Sequence, residues 1–247
     1  MTISLKKYWY KITNKEKYKD YKITQNIKKD LKNFKQNFEN HINNIQKKIR
    51  EKKELSFLHS GHAGDIVNIL PVIKELSKTH KCTLYIQTNK PLNVKYHKHP
   101  AGEVFINEKI FNMLLPLLQS QKCFNKIEKY SNQVIDINFD IIRDLPINIH
   151  FDNVKYYFHV TGIQPDLNEP YLHVEPHKTI KEKIVIHRTF RYRNFFINYK
   201  FMNKYKNLLF VGTKDEYEDL KKDVQNLEFH DCKDFLEMAM IIKSSKF

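Results

Sequence analysis

The feature that most constrains the chain is a short glycine-containing stretch, His-Ser-Gly-His-Ala-Gly-Asp, at residues 59–65. An apolar run at residues 55–58 precedes it, and an amphipathic run begins at Asp65. This order predicts a buried strand, a tight turn and a helix. We expect Gly61 and Gly64 to permit a positive φ and the close approach of a ligand. Because the chain has only 5 glycines in 247 residues, this turn indicates where a functional site lies.

The pattern that follows predicts the first of two α/β units. Helical spacing at residues 65–79 and an apolar strand at residues 82–86 complete a βαβ unit, which implies a parallel sheet. The predicted buried stripe of that helix consists of Ile66, Ile69, Leu70, Ile73 and Leu76. The next predicted elements are a helix at 107–119, a strand at 134–137 and a helix at 150–160 that ends at Gly162.

The second half of the chain predicts a smaller sheet. Pro165, Pro170 and Pro176 interrupt the pattern, so residues 163–181 are expected to connect two lobes. The predicted second lobe has strands at 184–187, 208–211 and 227–229 and helices at 215–224 and 234–242, the last with Phe235, Leu236, Met238, Ala239, Ile241 and Ile242 buried. The predicted domains are a basic extension at 1–54, a first lobe at 55–162, the connection at 163–181 and a partial second lobe at 182–247.

A regular apolar stripe precedes the first lobe. Its residues recur at intervals of three or four and predict one long helix; they are Ile23, Ile27, Leu31, Phe34, Phe38, Ile42, Ile45 and Ile49. The stripe is compatible with packing on the globular body, with a coiled-coil partner, or with a basic face laid on a membrane through residues 23–50.

Composition limits the classes of partner. The formal net charge is +15, of which residues 1–54 supply +10 through 16 basic and 6 acidic residues. A basic balance favours phosphate or anionic lipid. Lysine outnumbers arginine 38 to 5, which is typical of an AT-rich genome, and no helix-turn-helix or zinc-finger spacing occurs. A nucleic acid bound by residues 1–54 is therefore the least supported partner class.

Cysteine usage and hydropathy indicate the compartment. Cys82, Cys123 and Cys232 are scattered, which argues for a reducing compartment and against a disulfide framework. No apolar stretch approaches the roughly 18 residues that span a bilayer, and the first residues lack the apolar core of a signal peptide. We expect a cytoplasmic protein, with peripheral contact to the inner membrane surface as an alternative setting.

Asp65 and the two histidines beside the turn allow several roles. Asp65 starts the predicted helix, so it is either a helix cap or a general base at the carboxyl end of a strand, where open α/β sheets bind ligands. His59, His62 and Asp65 could also be imagined as a metal site, but no further ligand with suitable spacing accompanies them, so no metal is expected. His97 and His99 lie in a lysine-rich loop and are expected to be solvated.

A second cluster follows the predicted strand at 184–187. Arg188, Arg191 and Arg193 are three of the five arginines of the chain. Arginine in a lysine-dominated sequence suggests forked donors for a phosphate or pyrophosphate. The alternative is a solvated loop with aromatic residues packed beneath it.

The turn and its surroundings resemble a known family. The sequence Ser-Gly-His-Ala-Gly-Asp-Ile-Val at residues 60–67, followed by Leu70 and Pro71, is similar to the opening of glycosyltransferase family 9, the heptosyltransferase-like enzymes. Residues 210–217 and 235–243 are similar to parts of the donor lobe of those enzymes. The family's later donor motif would fall beyond Phe247, so we expect either a fragment or a naturally short chain with an incomplete second lobe.

This resemblance implies a fold and an activity. It implies the GT-B fold, two Rossmann-like lobes with the active site between them, and transfer of a hexosyl or heptosyl unit from a nucleotide-sugar to a glycan or lipid-linked acceptor in cell-surface glycan biosynthesis. Asp65 would be the catalytic base, and the turn residues Ser60, Gly61, His62 and Gly64 would bind the acceptor. Arg188, with Arg191 and Arg193, would hold the donor phosphates without a metal or other cofactor. The alternative is a non-catalytic, degenerate transferase that acts as a binding or scaffold protein recruited through its basic helix.

Overall fold

The computed structural model describes residues 5–33, 39–92, 99–144 and 152–246. Over these residues the chain is an α/β protein with one four-stranded and one three-stranded sheet, both parallel, as in Rossmann-like lobes. The α/β class predicted from the sequence is therefore confirmed.

The first sheet is built around the predicted strand that precedes the glycine turn. Its strands lie in the order β3-β2-β1-β4. The bounds are β1 Glu54–His59, β2 Lys81–Ile86, β3 Lys126–Lys129 and β4 Ile137–Asn138. Strand β1 is central, and β4 returns to its free side, so the direction of strand addition reverses between β1 and β4. In open α/β sheets such a reversal opens a crevice at the carboxyl ends of the strands.

The helical region after the turn is divided in two. Helices α4, Ala63–Val67, and α5, Leu70–Leu76, replace the single helix predicted at residues 65–79. Pro71 lies in the first turn of α5, where its missing N–H is tolerated and where it favours a new helix start. The predicted stripe is confirmed as buried throughout, with exposures of 2% or less; it consists of Ile66, Ile69, Leu70, Ile73 and Leu76.

Two strand predictions need correction. Strand β3 was not expected, because its sequence, Lys-Ile-Glu-Lys, has a single apolar residue on an edge strand. The strand predicted at residues 134–137 shrinks to Ile137 and Asn138. Val134 precedes it and is 87% exposed. Helices α6, Glu108–Gln119, and α7, Asn153–Thr161, agree with prediction, and Gly162 ends α7 with a positive φ of 72°.

The N-terminal stripe has two different environments. The described residues form α1, Leu5–Thr13, α2, Lys15–Asn33, and α3, Glu39–Glu51, so the predicted stripe is helical on both sides of residues 34–38, which lie outside the described residues. Ile45 and Ile49 in α3 are buried in the first core, whereas Ile27 and Leu31 in α2 are about half exposed. Phe34 and Phe38 lie outside the described residues. Among the described residues, the stripe thus packs on the first core in α3 and not in α2.

The second sheet has strands β5 Ile184–Ile186, β6 Leu208–Val211 and β7 Leu227–His230 in that order, with helices α8 Lys214–Lys221 and α9 Phe235–Lys243. Helix α9 joins the two cores. Phe235, Leu236 and Ala239 pack against the first core, while Ile241 packs with the second sheet. Of the six residues of α9 that were expected to be buried, only Ile241 is; Ile242 is 48% exposed, and the other four, Phe235, Leu236, Met238 and Ala239, are partly buried.

The predicted connection at 163–181 contains no strand, but Tyr171, Leu172 and Val174 pack against the first core. No helix within the described ranges is long and apolar enough to cross a membrane.

Candidate functional site

The glycine turn lies in the crevice at the carboxyl ends of β1 and β4. His59 ends β1, and Ser60 and Gly61 follow directly. Asn138 ends β4, and a short 3₁₀ helix, Phe139–Asp144, brings Asp140 and Arg143 to the same place. The crevice is therefore lined from two neighbouring strands, as the reversal in strand order requires.

Gly61 is required by close packing and not by its backbone conformation. Neither Gly61 nor Gly64 is among the residues with positive φ, so that part of the expectation is wrong. A Cβ on Gly61 would lie 2.4 Å from Arg143 Nη2, 2.6 Å from His59 Cε1 and 2.7 Å from Asp65 Cβ. Gly64 would place a Cβ in open space. We expected a ligand to approach Gly61 closely, but side chains of the protein itself occupy the space beside this glycine.

Asp65 stabilises the start of α4 from inside its first turn. Its Oδ2 accepts a hydrogen bond from the backbone N–H of His62 at 3.0 Å and lies 3.8 Å from Arg143 Nη2. The side chain is 28% exposed, so it retains access to solvent at the crevice. Asp65 therefore has the helix-capping role. Both contacts use Oδ2, so Oδ1 takes part in neither of them and could accept a proton, as a general base must.

Asp140 is the centre of the site and was not identified from the sequence. It accepts hydrogen bonds from the Ser60 N–H at 2.9 Å, from Lys90 Nζ at 2.8 Å and from Arg143 Nη1 at 2.6 Å, and it also bonds the Ser60 hydroxyl. Burial acts to raise the pKa of Asp140, but Lys90, Ser60 and Arg143 outweigh it and hold the pKa well below its usual range. A stable carboxylate therefore fixes Ser60 and both cations.

A buried chain of hydrogen bonds runs beneath the turn. His59 Nδ1 accepts the Gly61 N–H at 2.8 Å, so the ring proton of neutral His59 is on Nε2. Nε2 bonds the Tyr157 hydroxyl at 2.8 Å, and that hydroxyl donates to the Asp65 carbonyl at 3.1 Å. Burial, with smaller contributions from Arg143 and Lys90, lowers the pKa of His59 to about 3 against the opposing charge of Asp140. Both nitrogens of His59 are thus engaged, which disfavours it as a metal ligand.

The ring of His62 packs against Phe105 and His99. Its Nδ1 donates to the Phe105 carbonyl at 3.0 Å, and its ring centre lies 4.8 Å from that of His99. The ring of His99 therefore packs in the site, whereas the sequence predicted a solvated residue; His97 lies outside the described residues. Burial lowers the pKa of both histidines, and the charge of Arg191 lowers them further. The charge of Arg191 therefore acts on both rings.

Arg188 and Arg193 both bind Asp219, a residue of helix α8. Arg188 Nη2 donates to Asp219 at 2.5 Å, and Arg193 Nη1 donates to the same carboxylate at 2.9 Å. Arg188 is buried, its guanidinium lies over the ring of Tyr199, and its Nε and Nη1 have no hydrogen-bond partner in the described structure. The predicted arginine cluster is thus divided: the charge of Arg191 acts on His62, and the other two arginines bind Asp219.

Among the described residues, no three His, Cys, Asp or Glu side chains are grouped so that they could hold a metal ion. Comparison of the chain with protein-family models, with curated proteins and with solved structures found no match.

Proposed function

We propose that the chain has the GT-B arrangement and transfers a sugar from a nucleotide-sugar donor to an acceptor hydroxyl. The observation that carries the proposal is the position of the Gly-Asp turn. It lies at the strand reversal of the first sheet, with a partly exposed Asp65 carboxylate, and Arg191 of the second lobe is close enough to influence His62. A carboxylate at this position and a cation whose charge acts on the same turn suit a reaction that deprotonates an alcohol and releases a diphosphate.

Asp65 would act as the general base. The backbone N–H of His62 holds its Oδ2 in place, and Oδ1 is the oxygen that would accept the proton of the acceptor hydroxyl. The acceptor oxygen would then attack the anomeric carbon as the bond to the nucleoside diphosphate breaks. The products are a glycoside, a nucleoside diphosphate and a proton on Asp65. Asp140 would serve to hold Ser60 and Arg143 at the edge of the crevice.

Arg191 is the residue that we propose for the donor phosphates. Arg188 and Arg193 already bind Asp219, so they would support the segment that carries Arg191 instead of meeting the donor directly. Of the three arginines to which the family resemblance gives a donor-binding role, Arg191 is the one whose charge acts on His62 and His99 of the first lobe.

The test of the base is Asp65→Asn, assayed for transfer with a panel of nucleotide-sugars and acceptors. Asparagine keeps an oxygen that can accept the His62 N–H, so we expect a folded protein whose turnover falls by about 10²–10⁴-fold, as for loss of a general base. Asp234→Asn is the matched control, because Asp234 also caps a helix by accepting a backbone N–H, from Glu237 at 2.8 Å. Unchanged turnover of Asp65→Asn in an active preparation would remove Asp65 as the base.

The test of the donor site is Arg191→Ala, measured as nucleoside diphosphate affinity by calorimetry. Loss of a charge-assisted contact to phosphate predicts an affinity about tenfold lower. Arg193→Ala is the control: it should weaken the Asp219 contact and lower stability while changing affinity less. Equal affinity in Arg191→Ala and the parent protein would contradict this assignment.

A non-catalytic binding protein is the second candidate function. The pairing of Arg188 and Arg193 with Asp219 favours it, because two of the three cations expected for a donor are neutralised within the protein. In that case nucleotide-sugars would be neither transferred nor hydrolysed, and the basic helices would recruit the body to a partner or a membrane. Absence of turnover across the donor panel, with an intact fold, would favour this function.

A further inference from the structure

The segment between β5 and β6 has an unusual composition. Residues 190–206, here called the aromatic–basic surface, contain seven aromatic residues, five Lys or Arg and no Asp or Glu. The acidic residues nearest to it in sequence are Glu182 and Asp215. None of the roles proposed above uses its aromatic side chains.

Its aromatic side chains are presented to solvent. The exposed fractions are 74% for Tyr192, 79% for Phe195, 99% for Phe196 and 53% for Phe201. Single exposed apolar residues are ordinary, but several of them in one short segment mark a contact surface.

The segment is anchored to the second lobe while its tip is exposed. The Phe190 N–H donates to Glu216, Arg193 binds Asp219, and Asn203 Nδ2 donates to the Asp223 carbonyl at 2.7 Å. Residues 190–192 and 199–204 form 3₁₀ turns. The exposed phenylalanines therefore lie on a loop that hydrogen bonds fix to the second lobe. Burying them in a partner consequently costs little backbone conformational entropy.

Cations accompany the aromatic rings. The guanidinium of Arg191 lies 5.1 Å from the ring centre of Tyr192, that of Arg193 lies 5.3 Å from the ring centre of Phe195, and Lys204 lies 5.0 Å from that of Tyr205. Lys200 is exposed on the same segment. An exposed apolar tip with cations along the same segment complements a surface that is negative outside and apolar beneath.

We propose that the aromatic–basic surface docks on an anionic phospholipid bilayer, with Phe195 and Phe196 entering the interface and Lys200 and Lys204 meeting the headgroups. Aromatic and basic residues together are the groups that hold peripheral proteins at this interface. Cations and aromatic rings also bind single-stranded nucleic acids, but there the bases stack on the faces of the rings. The projecting Phe196 and the neighbouring Ile197 fit insertion better. This inference rests on exposure and charge and is independent of transferase activity.

The first experiment is co-sedimentation of the full chain with phosphatidylcholine vesicles that contain about 30% phosphatidylglycerol. We expect binding that weakens with added salt, and the double variant Phe195→Ser/Phe196→Ser should lower the partition coefficient by about tenfold or more. The matched control is Val134→Ser/Leu167→Ser, which removes two exposed side chains that lie outside both this surface and the basic N-terminal helices, and it should leave binding unchanged. Circular dichroism checks that each variant is folded.

The charge contribution is tested with Lys200→Glu/Lys204→Glu against Lys109→Glu/Lys122→Glu. All four lysines are exposed, and both variants change the net charge equally. We expect the first pair to weaken binding about tenfold more than the second. Equal losses in the two variants would mean that the overall charge attracts the protein, and the docking surface would be refuted.

A fluorescence reporter tests insertion directly. The single tryptophan of the chain is Trp9 in α1, so Trp9→Phe/Phe196→Trp moves the only indole to the tip of the surface. A blue shift on addition of anionic vesicles supports insertion, and an unshifted spectrum in bound protein refutes it. Unchanged sedimentation of Phe195→Ser/Phe196→Ser would also refute the proposal. Binding of a single-stranded oligonucleotide that depends on these phenylalanines, without vesicle binding, would replace it with a nucleic-acid surface.

Discussion

Replacement of Gly61 by alanine tests whether the turn is shaped by packing. The added methyl would lie within 3.0 Å of three atoms, and only one of them can yield easily. Arg143 Nη2 is at the end of a flexible side chain, although moving it disturbs the 2.6 Å bond between Nη1 and Asp140. The His59 ring is fully buried with both nitrogens bonded, and Asp65 Cβ belongs to α4.

The expected cost lies in the upper part of the range for an overpacked site. Inserting a methyl group into a filled site costs about 1–3 kcal/mol, and here we expect about 2–3 kcal/mol because two of the three neighbours are fixed. Gly64→Ala is the matched control one turn away. Its Cβ meets nothing within 4 Å and its φ is not positive. The substitution should therefore stabilise the protein by about 0.4–1 kcal/mol, because alanine lowers the conformational entropy of the unfolded chain.

Urea unfolding of the two variants and the parent protein measures both effects. We expect the midpoint of Gly61→Ala to fall and that of Gly64→Ala to rise at similar slopes. A midpoint for Gly61→Ala at or above that of the parent protein would refute the packing argument. A fall for both variants would indicate that the backbone of this turn, and not the space around it, requires glycine.

Two further predictions concern charge and burial. Asp140→Asn should lower stability by about 1–3 kcal/mol at neutral pH, because Lys90 and Arg143 lose their shared anion while keeping partial access to water. Since the pKa of Asp140 is depressed in the folded state, the difference from the parent protein should be full above about pH 4 and should shrink as the pH falls further, which pH-dependent unfolding would detect. Ile45→Ala should cost about 2–5 kcal/mol in chemical unfolding, because Ile45 is 2% exposed, whereas Ile27→Ala, at a residue 52% exposed, should cost under about 1 kcal/mol; equal losses would contradict the division of the stripe.

Local pattern was sufficient for the elements that bury a regular apolar face. The strand before the glycine turn, the buried stripe after it and the three strands of the second sheet were all predicted near their observed bounds. These elements bury apolar side chains at helix or strand spacing, and that spacing is written directly in the sequence. The polar edge strand β3 has no such face, so the same reasoning missed it.

The N-terminal stripe shows the limit of periodicity. Ile27 and Ile45 lie in one repeating pattern, yet one is half exposed and the other is buried. Spacing indicates that a helix has an apolar face, but the partner of that face is decided by tertiary packing. In α3 the partner is the first core, and α3 packs beside α7.

The candidate site depends on strand order, which the sequence does not contain. Asp140 follows a predicted strand and could have been noted as a polar residue at its carboxyl end. Its importance, however, comes from the placement of β4 beside β1, which brings it to Ser60 across 80 residues of chain. The same applies to Asp219, which binds Arg188 and Arg193 from α8. The residue types in the sequence were enough to identify the glycine turn and the arginine cluster. The carboxylates that orient them, Asp140 and Asp219, were identified only from the fold. A site in this chain is therefore best tested by changing carboxylate and cation separately, because each anion fixes more than one partner.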